Sequence, residues 1–113
     1  MSQINGIVLR IREAEADEFE RGFLAHELPI WKRLGEGGEL VYASLTRVAF
    51  GSDQRPGIRH YLVVAEFRSM DGHEKHDADP AFGSWNAKAD TFQPEEPLVF
   101  GGDSVARYPE AGA

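Results

Sequence analysis

An aspartate followed directly by a proline, Asp79-Pro80, opens a run in which Phe82, Trp85, Ala89 and Phe92 recur three or four residues apart. Aspartate at an N-cap accepts from a free backbone amide, and proline suits the first helical position because its missing N–H has no partner there anyway. The pair therefore sets where a helix begins, and the spacing of the aromatics sets which face it buries. Pro94 and Pro97 stop it. Directly upstream, Ile58 to Arg68 is the most apolar strand pattern in the chain, and Ser69 to about His76 reads as a short helical turn.

The rest of the chain falls into place around this block. Ile7, Leu9 and Ile11 alternate with Val8, Arg10 and Arg12, which is the period of a half-buried strand. Asp17 caps a first helix whose stripe is Phe19, Phe23, Ile30 and Leu34, widened by Leu24, Leu28 and Trp31. Pro29 predicts a kink or break near Ala25 or His26, and Gly35, Gly37 and Gly38 end the helix. Leu40 to Phe50 is a second strand, joined to the third by the turn-forming Gly51 to Gly57 as an antiparallel hairpin. A fourth strand begins at Leu98, is interrupted by a bulge or close backbone approach at Gly101-Gly102, and resumes from Ser104 to Tyr108. The order βαββαβ predicts an α+β, ferredoxin-like fold: a four-stranded antiparallel sheet with two helices on one face. It forms a single domain over residues 1–108, with an unstructured tail over 109–113.

Helices on one face leave the other face of the sheet to be covered. In the third strand one face reads Tyr61, Val63, Ala65, Phe67 and the other His60, Leu62, Val64, Glu66, Arg68. The second set is apolar at its centre, so a second copy of the chain is the expected cover, sheet against sheet, in a homodimer. A net charge of −7, with basic residues scattered among acids, argues against nucleic acid or an anionic membrane as partner. The absence of cysteine removes disulfides, thiolate metal sites and a cysteine nucleophile. With no basic, apolar leader at the N-terminus and no apolar run of spanning length, a cytoplasmic location is expected.

The element order, the third strand ending Glu66-Phe67-Arg68-Ser69, the histidine-bearing turn, Asp79-Pro80-Ala81-Phe82 and Trp85 together resemble the dimeric α+β barrel proteins. These include antibiotic-biosynthesis-monooxygenase-like, EthD-like and stress-responsive groups. The resemblance spans about Ile4 to Tyr108. It implies a dimeric barrel. It also implies a range of activities: cofactor-independent oxygenases, isomerases, cyclases, haem-degrading enzymes and members with no assigned activity, so the fold names no reaction. Haem-degrading members use an Asn on strand one, a Trp on strand three and a His on the second helix. Asn5 matches the first, the third strand has no Trp, and the candidate histidines His73 and His76 lie early. No enzymatic subgroup's set of functional residues is matched whole.

Several residues could carry chemistry. His73, His76 and Asp77 share one side of a helical turn, a spacing that suits a metal or an acid–base pair. A solvated, charged turn is the plainer reading, because nothing elsewhere completes a coordination shell, and no metal or cofactor is expected. His76 is expected as a hydrogen-bonding group at a cavity mouth. His26 stands between Phe23 and Ile30 on the first helix's stripe, where it could reach between sheet and helices and take a proton, or could be a core histidine satisfied by a carbonyl freed by Pro29. Glu27 beside it is expected to face solvent. His60, Glu66 and Arg68 share a strand face and could line an internal polar site, but the favoured reading is a dimer interface, with Glu66 pairing to an arginine such as Arg10. Gly101-Gly102 lacks the spacing, basic residue and following helix of a phosphate loop.

The expected site is thus an apolar pocket with His26 and His76 as candidate catalytic groups and Phe23, Trp31, Tyr61, Phe82 and Trp85 as candidate substrate contacts. Such a wall suits a small, flat, aromatic or polyketide-like molecule. The expected function is a cofactor-independent monooxygenase-like or isomerase- or cyclase-like enzyme on an apolar aromatic substrate. The alternatives are a non-catalytic ligand-binding or stress-associated dimer and a haem-binding or haem-degrading protein. Whether the chain is an enzyme stays open at this point.

Overall fold

The computed structural model describes residues 2–110. Its strands are β1 (Gln3–Arg12), β2 (Leu40–Arg47), β3 (Ile58–Phe67) and β4 (Leu98–Asp103). Its helices are α1 (Ala16–His26), α2 (Leu28–Glu36), α3 (Met70–Ala78) and α4 (Pro80–Asp90), with one 3-10 turn at Glu13–Glu15 before α1. The sheet runs in the order β2-β3-β1-β4 with every neighbouring pair antiparallel. This is the ferredoxin-like α+β arrangement, with each of the two expected helices divided into two segments. Among the described residues no helix is long and apolar enough to cross a membrane.

Both divisions have a local cause. The first falls at Glu27, whose amide still donates to the Phe23 carbonyl at 2.9 Å while its carbonyl accepts from Trp31 at 3.1 Å. Pro29 is the second residue of α2, where no intrahelical acceptor is needed. The break thus comes one residue past the expected Ala25 or His26. The second division is the predicted one: Asp79 caps α4 by accepting from the Ala81 amide at 2.8 Å, and Pro80 is the first helical residue. Arg33 of α2 reaches the carboxylate of Asp79 at 2.6 Å, so one helix pair is tied to the other at its break.

The β3 faces divide as expected. Tyr61, Val63, Ala65 and Phe67 are buried against Phe19, Phe23, Trp31, Trp85, Ala89 and Phe92. Gly22 allows α1 to lie against α4, because a Cβ there would stand 2.4 Å from the Trp85 ring. The opposite sheet face carries Val8, Leu62, Val64, Leu98 and Phe100 in register across β1, β3 and β4, with Phe100 64% exposed.

Three local expectations are corrected. β4 runs unbroken through Gly101 and Gly102, paired to Asn5 and Ile4, and does not resume at Ser104–Tyr108. Ser104 makes a last bond to the Ser2 carbonyl and the chain then leaves the sheet. The glycine signal there is close approach, since a Cβ at Gly101 would lie 2.8 Å from Asn5 Oδ1; the irregularity in the sheet is in β2, between Leu40 and Tyr42. β2 ends at Arg47, leaving Phe50 exposed in the hairpin loop. The tail expected over 109–113 is described only to Glu110, and residues 111–113 lie outside the described residues.

Candidate functional site

Between the inner sheet face and the helices lies a cavity of about 790 Å³, partly open to solvent. Its floor is Asn5, Ile7 and Leu9 of β1 with Val63, Ala65 and Phe67 of β3. Phe23, Trp31, Phe82 and Trp85 form its walls. Both tryptophans of the chain therefore face this space.

Along one side of this apolar chamber runs a continuous chain of polar groups. Glu27 is 4% exposed and its Oε1 is bonded to His76 Nε2. His76 Nδ1 meets Asp77 Oδ1 at 2.9 Å, and the other oxygen of Asp77 lies 3.1 Å from His73 Nε2. His73 Nδ1 is 3.1 Å from Gln3 Oε1, and Gln3 and Asn5 exchange carboxamide bonds at 2.9 and 2.7 Å. Asn5 also donates to the Ala65 carbonyl at 3.3 Å. The chain links the start of β1, the α1–α2 break and α3. The rings of Phe67 and Phe82 pack on the two histidines, with His76 and Phe82 centroids 4.3 Å apart.

The electrostatics follow from this geometry. Burial works against a charged His76, but the bonds and charges of Glu27 and then Asp77 outweigh it and hold the imidazole above its ordinary value. Both ring nitrogens face carboxylate oxygens, which is the pattern of an imidazolium donating twice. Glu27 Oε2 is buried with no hydrogen-bond partner. A buried carboxylate oxygen without a donor is costly unless something supplies one. Among the described residues no group of three or more His, Asp or Glu is arranged to hold a metal ion.

Of the residues expected from sequence, His76, Phe23, Trp31, Phe82 and Trp85 line the cavity. Two do not. His26 is exposed and stacks on the Trp85 ring at 5.7 Å without lining the cavity. Tyr61 is fully buried and donates to Glu20. Burial first, and the Glu20 bond second, push its phenol up to about 12. Glu20 is in turn drawn down to about 2, chiefly by Arg47, against its own burial. That group borders a separate depression of about 420 Å³ beneath α1 and α2. One further expectation is reversed: Glu27 points inward. Within the protomer Glu66 pairs with Arg107, and Arg10 pairs with Glu95 at 2.8 Å. Arg10 lies across from His60 and Glu66 across from Ile4, at opposite ends of the outer face of one protomer.

Glu27 was legible in principle. It stands four residues after Phe23 and four before Trp31, so it continues the stripe of Phe19 and Phe23, whereas His26 lies a step off it. Gln3 gave no signal beyond its place before a strand.

No family profile matches the chain, and no curated protein matches it significantly. Solved structures do. A Caulobacter crescentus protein bearing the antibiotic biosynthesis monooxygenase name matches with TM-score 0.71 and 23% identity, over 93% of this chain and 91% of its own. SnoaB, a cofactor-independent oxygenase from Streptomyces nogalater, matches with TM-score 0.67 and 17% identity, over 97% of this chain and 100% of its own. A dimeric ferredoxin-like protein from an uncultured marine organism matches with TM-score 0.75 and 17% identity, over 97% and 93%. Identities this low carry the fold and not the chemistry. The chain shares its ferredoxin-like α+β fold with proteins named as antibiotic biosynthesis monooxygenases and with a dimeric ferredoxin-like protein.

Proposed function

We propose that this chain is a homodimeric small-molecule enzyme that removes a weakly acidic proton from a flat aromatic substrate, without metal or organic cofactor. One observation carries this reading: a buried carboxylate, Glu27, held by His76 on the wall of an aromatic-lined cavity, with its Oε2 lacking any hydrogen-bond donor. The His76 imidazolium fixes the carboxylate in orientation and leaves one oxygen for the substrate. The electrons left on the substrate become an enolate or phenolate, which the aromatic system delocalises. In an oxygenase of this kind, dioxygen is the oxidant and water the second product. The cofactor-independent oxygenase SnoaB shares the fold, which supports that version. The apolar outer face of the sheet, and the fold shared with a dimeric ferredoxin-like protein, support the homodimer.

A haem reading has one point in its favour, since Asn5, Phe67 and His76 share the cavity wall. An axial histidine must present a lone pair, and both His76 nitrogens are turned to carboxylates. The proton-transfer reading is therefore preferred.

The test uses 1,8-dihydroxyanthrone under argon in deuterated buffer. Quenching of Trp31 and Trp85 fluorescence reports occupancy, and mass spectrometry reports deuterium entering the methylene. Exchange accelerated by the native chain and lost in Glu27→Gln is the expected result. Binding without accelerated exchange would instead favour a non-catalytic binding protein.

A further inference from the structure

We infer that the cavity takes uncharged aromatic molecules carrying an O–H or N–H donor, and rejects carboxylates and phosphates of the same shape. This rests on the small-molecule reading above and names its ligand class. Three observations carry it.

The first is the sign of the walls. Among the described residues that line the cavity there are five carboxylates, Glu27, Asp77, Asp90, Glu95 and Glu96, and no lysine or arginine. Glu95 is matched from outside by Arg10 at 2.8 Å and by Arg55, so those guanidiniums are already committed. Both histidines of the lining are likewise committed, His76 to Glu27 and Asp77, and His73 to Asp77 and Gln3, so neither ring has a nitrogen left for a ligand. An anionic ligand would find no cation free to meet it, and an unpaired buried charge is strongly disfavoured.

The second is the kind of atom left unsatisfied. Glu27 Oε2 and Gln93 Oε1 are both buried acceptors with no donor, and both residues line the cavity. Acceptors of this kind are completed by a ligand's O–H or N–H. A carboxylate brings only more acceptors.

The third is the bulk of the lining. The floor and walls are mostly aliphatic and aromatic, which suits a planar ring system and offers a phosphate or carboxylate little to replace its water.

Calorimetry with the full chain at pH 7 tests this with three ligands on one ring: 6-methyl-2-naphthol, its methyl ether, and 6-hydroxy-2-naphthoate. The neutral naphthol is expected to bind at least tenfold more tightly than the naphthoate, and at least threefold more tightly than the ether. In Glu27→Gln, checked for native circular dichroism, the gap between naphthol and naphthoate is expected to fall below threefold. Equal or tighter binding of the naphthoate overturns the charge selection while leaving an occupied cavity. Failure of all three ligands to bind overturns the small-molecule reading together with this inference.

Discussion

Removing the His76 ring strands the Glu27 carboxylate, and the consequence can be worked out from the structure. The two side chains are 11% and 5% exposed, so the pair is shielded from water on both sides. Deleting one member of a buried pair costs about 3–5 kcal/mol, most of it the penalty of leaving the other charge unpaired. His76→Ala is therefore expected to lose about 3 kcal/mol, roughly 10 °C in Tm for a domain of this size. The loss also has a pH signature. Against its burial, Glu27 and Asp77 raise the His76 pKa above its ordinary value of 6.5. The folded state thus holds the proton more tightly than the unfolded chain does. Stability from this group is fully present below pH 6.5 and falls as pH rises through the folded value. Urea unfolding at fixed protein concentration, at pH 6 and pH 9, reads the gap between native and His76→Ala proteins. That gap should be largest at pH 6 and narrower at pH 9. A gap below 1 kcal/mol, or one that does not change with pH, would refute the buried ion pair.

Three other outcomes are expected. Gly22→Ala, which would place a Cβ 2.4 Å from the Trp85 ring, should cost about 1–3 kcal/mol by overpacking and broaden the tryptophan emission. Leu62→Arg, at the centre of the open sheet face, should convert the proposed dimer to monomer by light scattering while native circular dichroism is kept. Glu20→Gln should cost about 1 kcal/mol at pH 7 in chemical denaturation, a modest figure because its partner Arg47 is largely exposed. The Glu20 contribution is present above its ordinary value of 4.5 and lost as pH falls towards about 2, so the variant should match the native protein at the acid end.

The architecture was readable because its signals are local or periodic. Asp79-Pro80 acts within one turn of helix, and the alternation along Ile58–Phe67 assigns each residue to a face without reference to its neighbours. The aromatic wall was readable for the same reason. The polar chain was not, because its members come from β1, the helix break and α3, and their contacts span up to seventy residues of sequence. His26 and Glu27 show how narrow the margin was: they are adjacent, and a helix stripe read at a spacing of three selects one where a spacing of four selects the other. Tyr61 failed for a different reason. Its strand face was read correctly, but which of two hollows a side chain enters depends on the tilt of the helices above it.

The cavity's polar chain and most of its shape-setting groups sit on different parts of the sequence. Gln3, Asn5, Glu27, His73, His76 and Asp77 belong to β1, the α1–α2 break and α3, while α4 contributes Phe82, Trp85, Asn86 and Ala89 to the same lining. Because α4 has its own cap at Asp79, its start does not depend on the helix before it, and Phe82 is the one of these four whose ring packs on a histidine of the polar chain. The shape of the chamber is therefore largely separable from its polar chain: apart from Phe82, which packs on His76, the residues of this eleven-residue helix can be exchanged to reshape the cavity without touching that chain.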